Sequence, residues 1–457
     1  VEGLTLGKVA GMVRGRLQGA PEHRKVTGLC IDSRRVQSGD LFVALPGRNV
    51  DGHDFVASAT AAGAAAGLVR RKLDQVPVIQ VRDPRKAAGE LAAAYRQMYP
   101  KLEVAAITGS SGKTTTKEML AAILGQDGHP VLATEGNLNN DLGLPLTLAR
   151  LTRRHRRAVL ELGMSAAGEI RTLARMCRPR VGIITNIGDA HLGHFKNRRA
   201  VARAKCELLT ELAAGGAAVL NADDPLLAPL AGRYPGLTFG LAPGADVHID
   251  EVFPGWSGTL VTLRHRGRAC RIKLKILGMH QAWNAAAAVA AGLALGLRFE
   301  DACRRLGSYR QQAAMRMQLL KLGPHRLIHD AYNSNPQSAA AGLALLAQLP
   351  SAAGKFFVAG SMLELGAISE QAHRELGEKA AAAGISGLIA VGREARWIAE
   401  AAKAAGFKET VAVDRAGDAA RHLLPRLSRK GDVILVKGSR GIGLEACVEE
   451  LKKAYKR

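Results

Sequence analysis

The chain reads as an α/β protein of three domains, on three observations. Its 457 residues exceed what a single hydrophobic core supports, and at about 150 residues per domain they divide into three. From about residue 104 onward, strand-like apolar runs alternate with helical stretches, the pattern of a parallel sheet wrapped by helices. Between Ala105 and Thr116 one such run breaks into a glycine-rich turn ending in Gly-Lys-Thr, the sequence form of a phosphate-cradling loop between strand and helix.

Residues 1–82 mix short apolar strands, such as Leu41 to Leu45 and Ala65 to Val69, with turns, and predict a small α/β domain. Asp83-Pro84 breaks that pattern, a helical stretch runs to Met98, and Tyr99-Pro100 leads to the phosphate loop. The second domain, 83–313, alternates Val104 to Thr108 with Lys113 to Leu124, Ala158 to Leu162 with Gly168 to Met176, and Val181 to Ile187 with Arg198 to Leu212. Between Asp246 and Leu277 the chain turns to β-like pieces punctuated by Gly and Pro, and Ala282 to Leu297 reads as one long alanine-rich helix. The third domain, 314–457, has strands at Arg326 to His329, Phe356 to Ala359, Gly387 to Val391, Thr410 to Val413 and Val433 to Val436. Each is followed by a helical run, which predicts a doubly wound, Rossmann-like unit.

In the loop Gly109-Ser110-Ser111-Gly112-Lys113-Thr114-Thr115, small residues let successive backbone N–H groups converge on phosphate oxygens. The lysine ammonium reaches the β/γ-phosphates and Thr114 offers a hydroxyl to Mg²⁺. The usual pattern has glycine where Ile107 stands, and an ordinary strand-to-helix turn is the alternative. Glu161 ends the strand Ala158-Val159-Leu160, and His191 follows the strand and loop from Ile183 to Ala190. Strand ends beside a phosphate loop are where parallel sheets place ligands, and a carboxylate there suits Mg²⁺.

The formal charge of +24, from 64 basic against 40 acidic residues, attracts polyanions: nucleic acid, an anionic substrate or a membrane surface. Only 4% of residues are aromatic and no stacking or groove-reading module is visible, which argues against specific nucleic-acid binding. Six scattered cysteines without paired spacing fit reduced thiols. The longest apolar run, Ala285 to Leu297, is too short to cross a bilayer, and no secretory leader pattern opens the sequence, so the chain reads as cytoplasmic.

Five stretches occur in a shared order. They are Thr108 to Thr115, Gly136-Asn137-Leu138-Asn139-Asn140, Glu161-Leu162-Gly163, Thr185-Asn186-Ile187-Gly188-Asp189-Ala190-His191-Leu192 and Ala204-Lys205-Cys206-Glu207. In that order and approximate spacing the chain resembles the Mur ligases over essentially its whole length. Asp330-Ala331-Tyr332-Asn333-Ser334-Asn335-Pro336, Met362 to Gly366 and Lys437-Gly438-Ser439-Arg440 are similar to the member that adds D-alanyl-D-alanine to UDP-N-acetylmuramoyl-tripeptide. Asp32-Ser33-Arg34, Gly39 to Leu45 and Asp51 to Phe55 resemble its UDP-sugar domain.

The resemblance implies a monomeric, ATP-dependent ligase of cytoplasmic peptidoglycan synthesis, serving cell-wall biogenesis, cell shape and division. It uses two Mg²⁺ ions and passes through an acyl phosphate. Lys113 would stabilise the γ-phosphoryl charge, and Thr114, Glu161 and His191 would form the metal sites. Lys205, carbamylated in the family, would support the second ion. Asn284, Arg316 and Asp330 would contact nucleotide, and Asp32, Ser33 and Arg34 the UDP-sugar. Asn137, Asn139, Asn140, Asn333, Lys437, Ser439 and Arg440 would face substrate. Turn-forming or capping roles are the alternative for Asp32 to Arg34, for the three loop asparagines and for Lys437 to Arg440.

The family's Pro-x-x-Gly-Arg reads Ala313-Ala314-Met315-Arg316, which predicts a stiffer hinge and a displaced Arg316. Ser361 stands where aspartate is common, Ser165-Ala166-Ala167 replaces a more polar run, and Gly193-His194 replaces an acidic residue and glycine. The rival readings are the tripeptide-forming Mur ligase that adds diaminopimelate or lysine, a folate-polyglutamating ligase, and a basic P-loop ATPase that binds nucleic acid. The third residue of the accepted tripeptide is not encoded in any feature of the sequence. The resemblance also leaves weak association of the basic surface with anionic membranes open.

Overall fold

The computed structural model describes residues 1–47, 50–189, 193, 195–311, 314–351, 353–427 and 430–455. Three large sheets follow one another along the chain. The first has five strands in the order Arg16–Gln18, Val78–Gln80, Ala66–Val69, Asp40–Val43, Gly28–Cys30, all parallel except the first pair. The second has nine, from Arg268–Leu274 through Gly258–His265, Val247–Gly255, Gly236–Gly240, Ala217–Asn221, Val181–Ile184, Glu103–Thr108 and Arg157–Glu161 to Val131–Ala133. The third has six, ordered Gln318–Leu322, His325–Asp330, Val433–Lys437, Lys355–Gly360, Gly387–Val391, Thr410–Val413.

Glu103–Thr108 is completely inside its sheet, with Arg157–Glu161 on one side and Val181–Ile184 on the other, both parallel. The chain leaves this strand toward one edge and later returns to the opposite flank. The phosphate loop therefore sits at a topological switch point, where open parallel sheets leave a crevice. The parallel part extends through Val247–Gly255, and two antiparallel strands, Gly258–His265 and Arg268–Leu274, prolong the sheet. The β-like pieces read from the sequence are this extension; their tight Gly-containing connections allow hairpins, which parallel strands cannot use.

The long alanine-rich helix is shorter than its composition suggests. It spans Gln281–Ala294, stops before Gly296 at φ 86°, and a second helix follows at Phe299–Leu306. Ala285 to Ala288 are fully buried against the helix Lys113–Leu124, and side chains of methyl size let the two backbones approach closely. That approach delivers Asn284 to the phosphate loop. The helix Pro84–Gln97, begun by Asp83 accepting from the N–H groups of Arg85 (2.9 Å) and Lys86 (3.1 Å), buries Leu91, Ala92 and Tyr95 in a core common to the first sheet and the central one. The strand Gln318–Leu322, which the sequence reading omitted, pairs antiparallel with His325–Asp330 across the two-residue turn Gly323-Pro324.

Candidate active site

The phosphate loop, Glu161, Asn284, Arg316, Asp330 and Lys437 converge on one cavity of about 850 Å³ between the central and C-terminal sheets. At its floor, Gly109 (φ 153°) and Gly112 (φ 81°) hold conformations in which a Cβ would lie 1.9 Å from Thr185 Oγ1 and 2.3 Å from Asn284 Oδ1, so only glycine fits either position. The loop is pinned from outside. Asn186 Oδ1 accepts from Ser111 N–H (2.9 Å), and Thr185 Oγ1 donates to Ser111 C=O (2.6 Å).

Lys113 Nζ donates to Gly109 C=O at 2.8 Å, folding the ammonium back over the loop. Burial lowers its pKa, with Arg316 acting in the same direction and Glu161 against it. Thr114 Oγ1 donates to Glu161 Oε2 (2.7 Å), Asn139 Nδ2 donates to Glu161 Oε1 (2.9 Å), and Thr134 Oγ1 accepts from the Glu161 N–H (2.9 Å). A hydroxyl from the first turn of the helix Lys113–Leu124 and a carboxylate from the end of the strand Arg157–Glu161 thus present hard oxygen donors at one point, a set that fits Mg²⁺. Among the described residues no cluster of three His, Cys, Asp or Glu side chains is placed to hold a metal, and His191 lies outside the described residues.

Lys205 is 1% exposed on the helix Arg198–Thr210, and among the described residues no hydrogen bond or ion pair engages its ammonium. Burial, reinforced by the nearby Lys113 charge, pushes its pKa well below the lysine range. The opposite wall belongs to the C-terminal sheet. Lys437 Nζ bonds Asp330 Oδ2 (2.7 Å) and Asn333 C=O (3.1 Å), across the registered pair Asp330 and Lys437. Arg316 stacks its guanidinium 4.0 Å from the Tyr332 ring centroid. Met315, standing where the family has glycine, still adopts φ 56°, and Met317 adopts φ 52°. Arg316, carried between these two left-handed residues, lines the cavity.

The cavity brings together Ser110 to Thr115, Asn137, Asn139, Asn140, Glu161, Asn284, Arg316, Asp330, Asn333 and Lys437. Its lining does not include Gly109, Lys205, Asp32, Ser33, Arg34, Ser439 or Arg440. Asp32 caps the turn Ser33–Arg35 at the surface, and its two oxygens hold the 86% exposed Arg34, which lowers the Asp32 pKa to about 2. Ser439 Oγ accepts from Leu363 N–H (2.9 Å), and Arg440 reaches Met315 Sδ (2.8 Å) and Glu445 (3.3 Å).

Sequence reasoning missed three participants. Asn335, the N-cap of the helix Pro336–Gln348, donates from Nδ2 to Ser111 Oγ (2.9 Å), tying the C-terminal sheet to the phosphate loop. Gln337 donates to Asp189 Oδ2 (2.9 Å) and accepts from Asp189 N–H (3.3 Å). His280, lining the cavity, contacts Gln281 at 2.9 Å and keeps its shielded Nδ1 unpartnered. The Asn335-Pro336 pair, a capping residue followed by proline at the first helical position, is a signal that could have found Asn335; nothing local marks the other two.

Matches to known proteins cover most of the chain. The models described as "Mur ligase family, catalytic domain", "Mur ligase middle domain" and "Mur ligase, glutamate ligase domain" match residues 25–96, 107–292 and 315–440. The UDP-N-acetylmuramoyl-tripeptide–D-alanyl-D-alanine ligase of Bacillus subtilis (strain 168) is 36% identical over 453 residues, with 98% of each chain covered. The chain belongs to the Mur ligase family. A crystal structure of MurF from Acinetobacter baumannii resembles this Mur ligase with a TM-score of 0.91 at 34% identity, covering 98% of this chain and 99% of the other. MurF ligase from Thermotoga maritima, solved in complex with ADP, gives 0.85 at 30% identity, with 94% and 98% covered.

Two outcomes follow for this Mur ligase. Burial lowers the His280 pKa to about 4, so the folded state stays neutral where the unfolded chain, near 6.5, takes up a proton. Stability is present above pH 6.5 and is lost as pH falls toward about 4, by up to ~3 kcal/mol. Urea titrations across that window are expected to show the decline in the wild type and a shallower one in His280→Gln. Gln337→Glu would set two carboxylates against each other at the Asp189 contact. About 1 kcal/mol of repulsion predicts a roughly fivefold lower kcat/KM for ATP, read by phosphate release.

Proposed function

We propose that this ligase joins D-alanyl-D-alanine to UDP-N-acetylmuramoyl-tripeptide at the expense of ATP, in the cytoplasm. The carrying observation is the single cavity in which Lys113, the Thr114–Glu161 pair and Asn284 of the central sheet face Arg316, Asp330 and Lys437 of the C-terminal sheet. The names of relatives matched over 98% of the chain support the same reaction. No helix among the described residues is long and apolar enough to cross a membrane. We place the domains at 1–82, 83–313 and 314–457, with the UDP-sugar on the first.

In this reading the loop N–H groups and Lys113 hold the ATP phosphates while the terminal carboxylate of the tripeptide attacks the γ-phosphorus. The acyl phosphate that results is opened by the amine of D-alanyl-D-alanine, releasing phosphate. The protein's contribution is positioning and charge neutralisation, because a carboxylate resists nucleophiles until activated. Asn284 meets the nucleotide beside the loop, Arg316 and Asp330 meet it from the opposite wall, and Asn137, Asn139, Asn140 and Asn333 line the substrate side. Ser439 and Arg440 support that wall from behind, and Asp32, Ser33 and Arg34 meet the UDP-sugar on a surface outside the cavity.

Thr114 and Glu161 would hold one Mg²⁺, which neutralises phosphate charge when bound; Lys205 and His191 would serve a second. An ammonium is no ligand, but a buried, neutral Lys205 amine is a nucleophile for CO₂. The N–C bond forms, one proton leaves to solvent, and an anionic carbamate results.

The test is phosphate release from ATP and Mg²⁺ with UDP-N-acetylmuramoyl-tripeptide, with and without D-alanyl-D-alanine, and mass analysis of the product. Release and pentapeptide that both require the dipeptide support the reading; release driven by diaminopimelate or lysine on the dipeptide precursor would assign the tripeptide-forming reaction. Separate assays with diaminopimelate- and lysine-containing tripeptides decide the third residue.

A further inference from the structure

The end of the central sheet remote from the phosphate loop carries a second feature of the molecule. Strands Val181–Ile184, Glu103–Thr108, Arg157–Glu161 and Val131–Ala133 are neighbours in that order, and all four run the same way. Their beginnings therefore form one rim, about 15–20 Å along the strands from the nucleotide cavity. The segments entering these strands contribute Lys101, His129, Arg153, Arg154, Arg156 and Arg178, all exposed.

The rim is contiguous. Lys101, His129 and Arg156 line one concavity of about 330 Å³ together with Glu103 and Asp127. Arg96 donates to the carbonyls of Tyr99 (2.7 Å), Leu102 (2.9 Å) and Cys177 (3.1 Å), which binds the segment before one strand to the segment before the next.

Its acids are already engaged. Glu103 is paired with Arg157 and Arg180, Asp127 with Arg157 and Arg305, and Glu2 accepts from the Arg153 backbone N–H (2.8 Å). Among the described residues no ion pair engages Lys101, Arg153, Arg154, Arg156 or Arg178. Five full positive charges thus stand at one end of the sheet without counterions.

We propose that this rim docks the enzyme on an anionic lipid surface. Uncompensated Lys and Arg near such a surface each add to attraction, and the effect decays within a Debye length, so only charges gathered on one face act together. Met98, 47% exposed at the end of Pro84–Gln97 and three residues from Lys101, adds an apolar contact at that face. Single-stranded nucleic acid is the weaker fit, because no fully exposed aromatic ring stands among these residues for stacking. The geometry also leaves catalysis free, since the cavity opens at the opposite end of the same strands.

The experiment is co-sedimentation of the full chain with vesicles of phosphatidylcholine alone or phosphatidylcholine with phosphatidylglycerol, at about 0.15 M salt and again toward 1 M, where the Debye length falls from about 8 to 3 Å. Binding is expected only to the anionic vesicles and only at the lower salt. The variant Lys101→Gln/Arg153→Gln/Arg154→Gln/Arg156→Gln is expected to bind them at least tenfold more weakly while releasing phosphate at the wild-type rate. A control variant, Arg266→Gln/Arg271→Gln/Lys273→Gln/Lys275→Gln, neutralises four exposed cations on the antiparallel extension and is expected to bind as wild type. No vesicle binding, or equal loss in both variants, overturns the proposal. Binding abolished by millimolar inorganic phosphate at constant ionic strength would assign the concavity to free phosphate, and rim-dependent binding of DNA in place of vesicles would assign the rim to nucleic acid; either result also overturns it.

Discussion

Lys205→Ala is expected to cut phosphate release by at least about 100-fold, and a short carboxylic acid such as acetate to restore part of it. The size follows from what the side chain would become: removal of an anionic group that orients a catalytic metal costs about 10–100-fold for an outer partner and more for a direct ligand. The argument starts from burial. At 1% exposure, with Lys113 nearby, the charged amine is disfavoured, which favours the neutral form, the one that attacks CO₂. A structural lysine would behave otherwise. Replacing it would remove a desolvated amine, leave turnover near wild type, and give acetate nothing to restore. Lys205→Met separates the two further, because it fills the same space and keeps the helix Arg198–Thr210 packed while remaining unable to carry a carbamate. Turnover unchanged in either variant would remove the carbamate from the mechanism.

The sequence exposed the central chemistry because that chemistry is local. Gly109, Gly112, Lys113 and Thr114 lie within one turn, and their residue types are dictated by backbone approach and phosphate charge. Glu161 was legible for a similar reason, since a carboxylate ending an apolar strand next to that loop has few other uses. Gln337 and Asp189 are 148 residues apart, and their pairing exists only after two sheets have been set against each other. His280 looked like an ordinary residue before a helix; its buried, unpartnered nitrogen is a product of packing. Asp32 and Arg34 show the opposite limit, because the same short pattern suits a sugar contact and a surface cap, and the cap that Asp32 forms is compatible with both. Met315 adds a lesson about substitutions. Neighbouring contacts from Gln318 Oε1 and Arg440 accompany a left-handed backbone in a residue that disfavours it, a conformation that the identity of residue 315 alone does not announce.

Lys113→Ala is expected to lower kcat by about 10²–10³-fold, with ATP binding weakened far less. In the structure the half-buried lysine folds its ammonium over the loop, bonded at 2.8 Å to the Gly109 carbonyl and within reach of the charge that grows on a transferring phosphoryl group. The loop's backbone N–H groups and Asn284 remain in the variant and keep most of the ground-state contact with nucleotide. The loss therefore falls on the step in which charge develops. Lys113→Arg is not expected to recover it, because the guanidinium is larger and forked where a compact point charge is bonded to a single carbonyl. The pH response carries the same signature. Burial lowers the lysine's pKa in the free enzyme, so kcat/KM for ATP is expected to fall on the alkaline side at a lower pH than an exposed lysine would give, and bound phosphates, which favour the charged form, should move the corresponding limb of kcat upward. Single-turnover phosphate release in the wild type and Lys113→Ala, each measured against pH with saturating and limiting ATP, resolves both effects; equal kcat in the two proteins would leave the ammonium a structural role only.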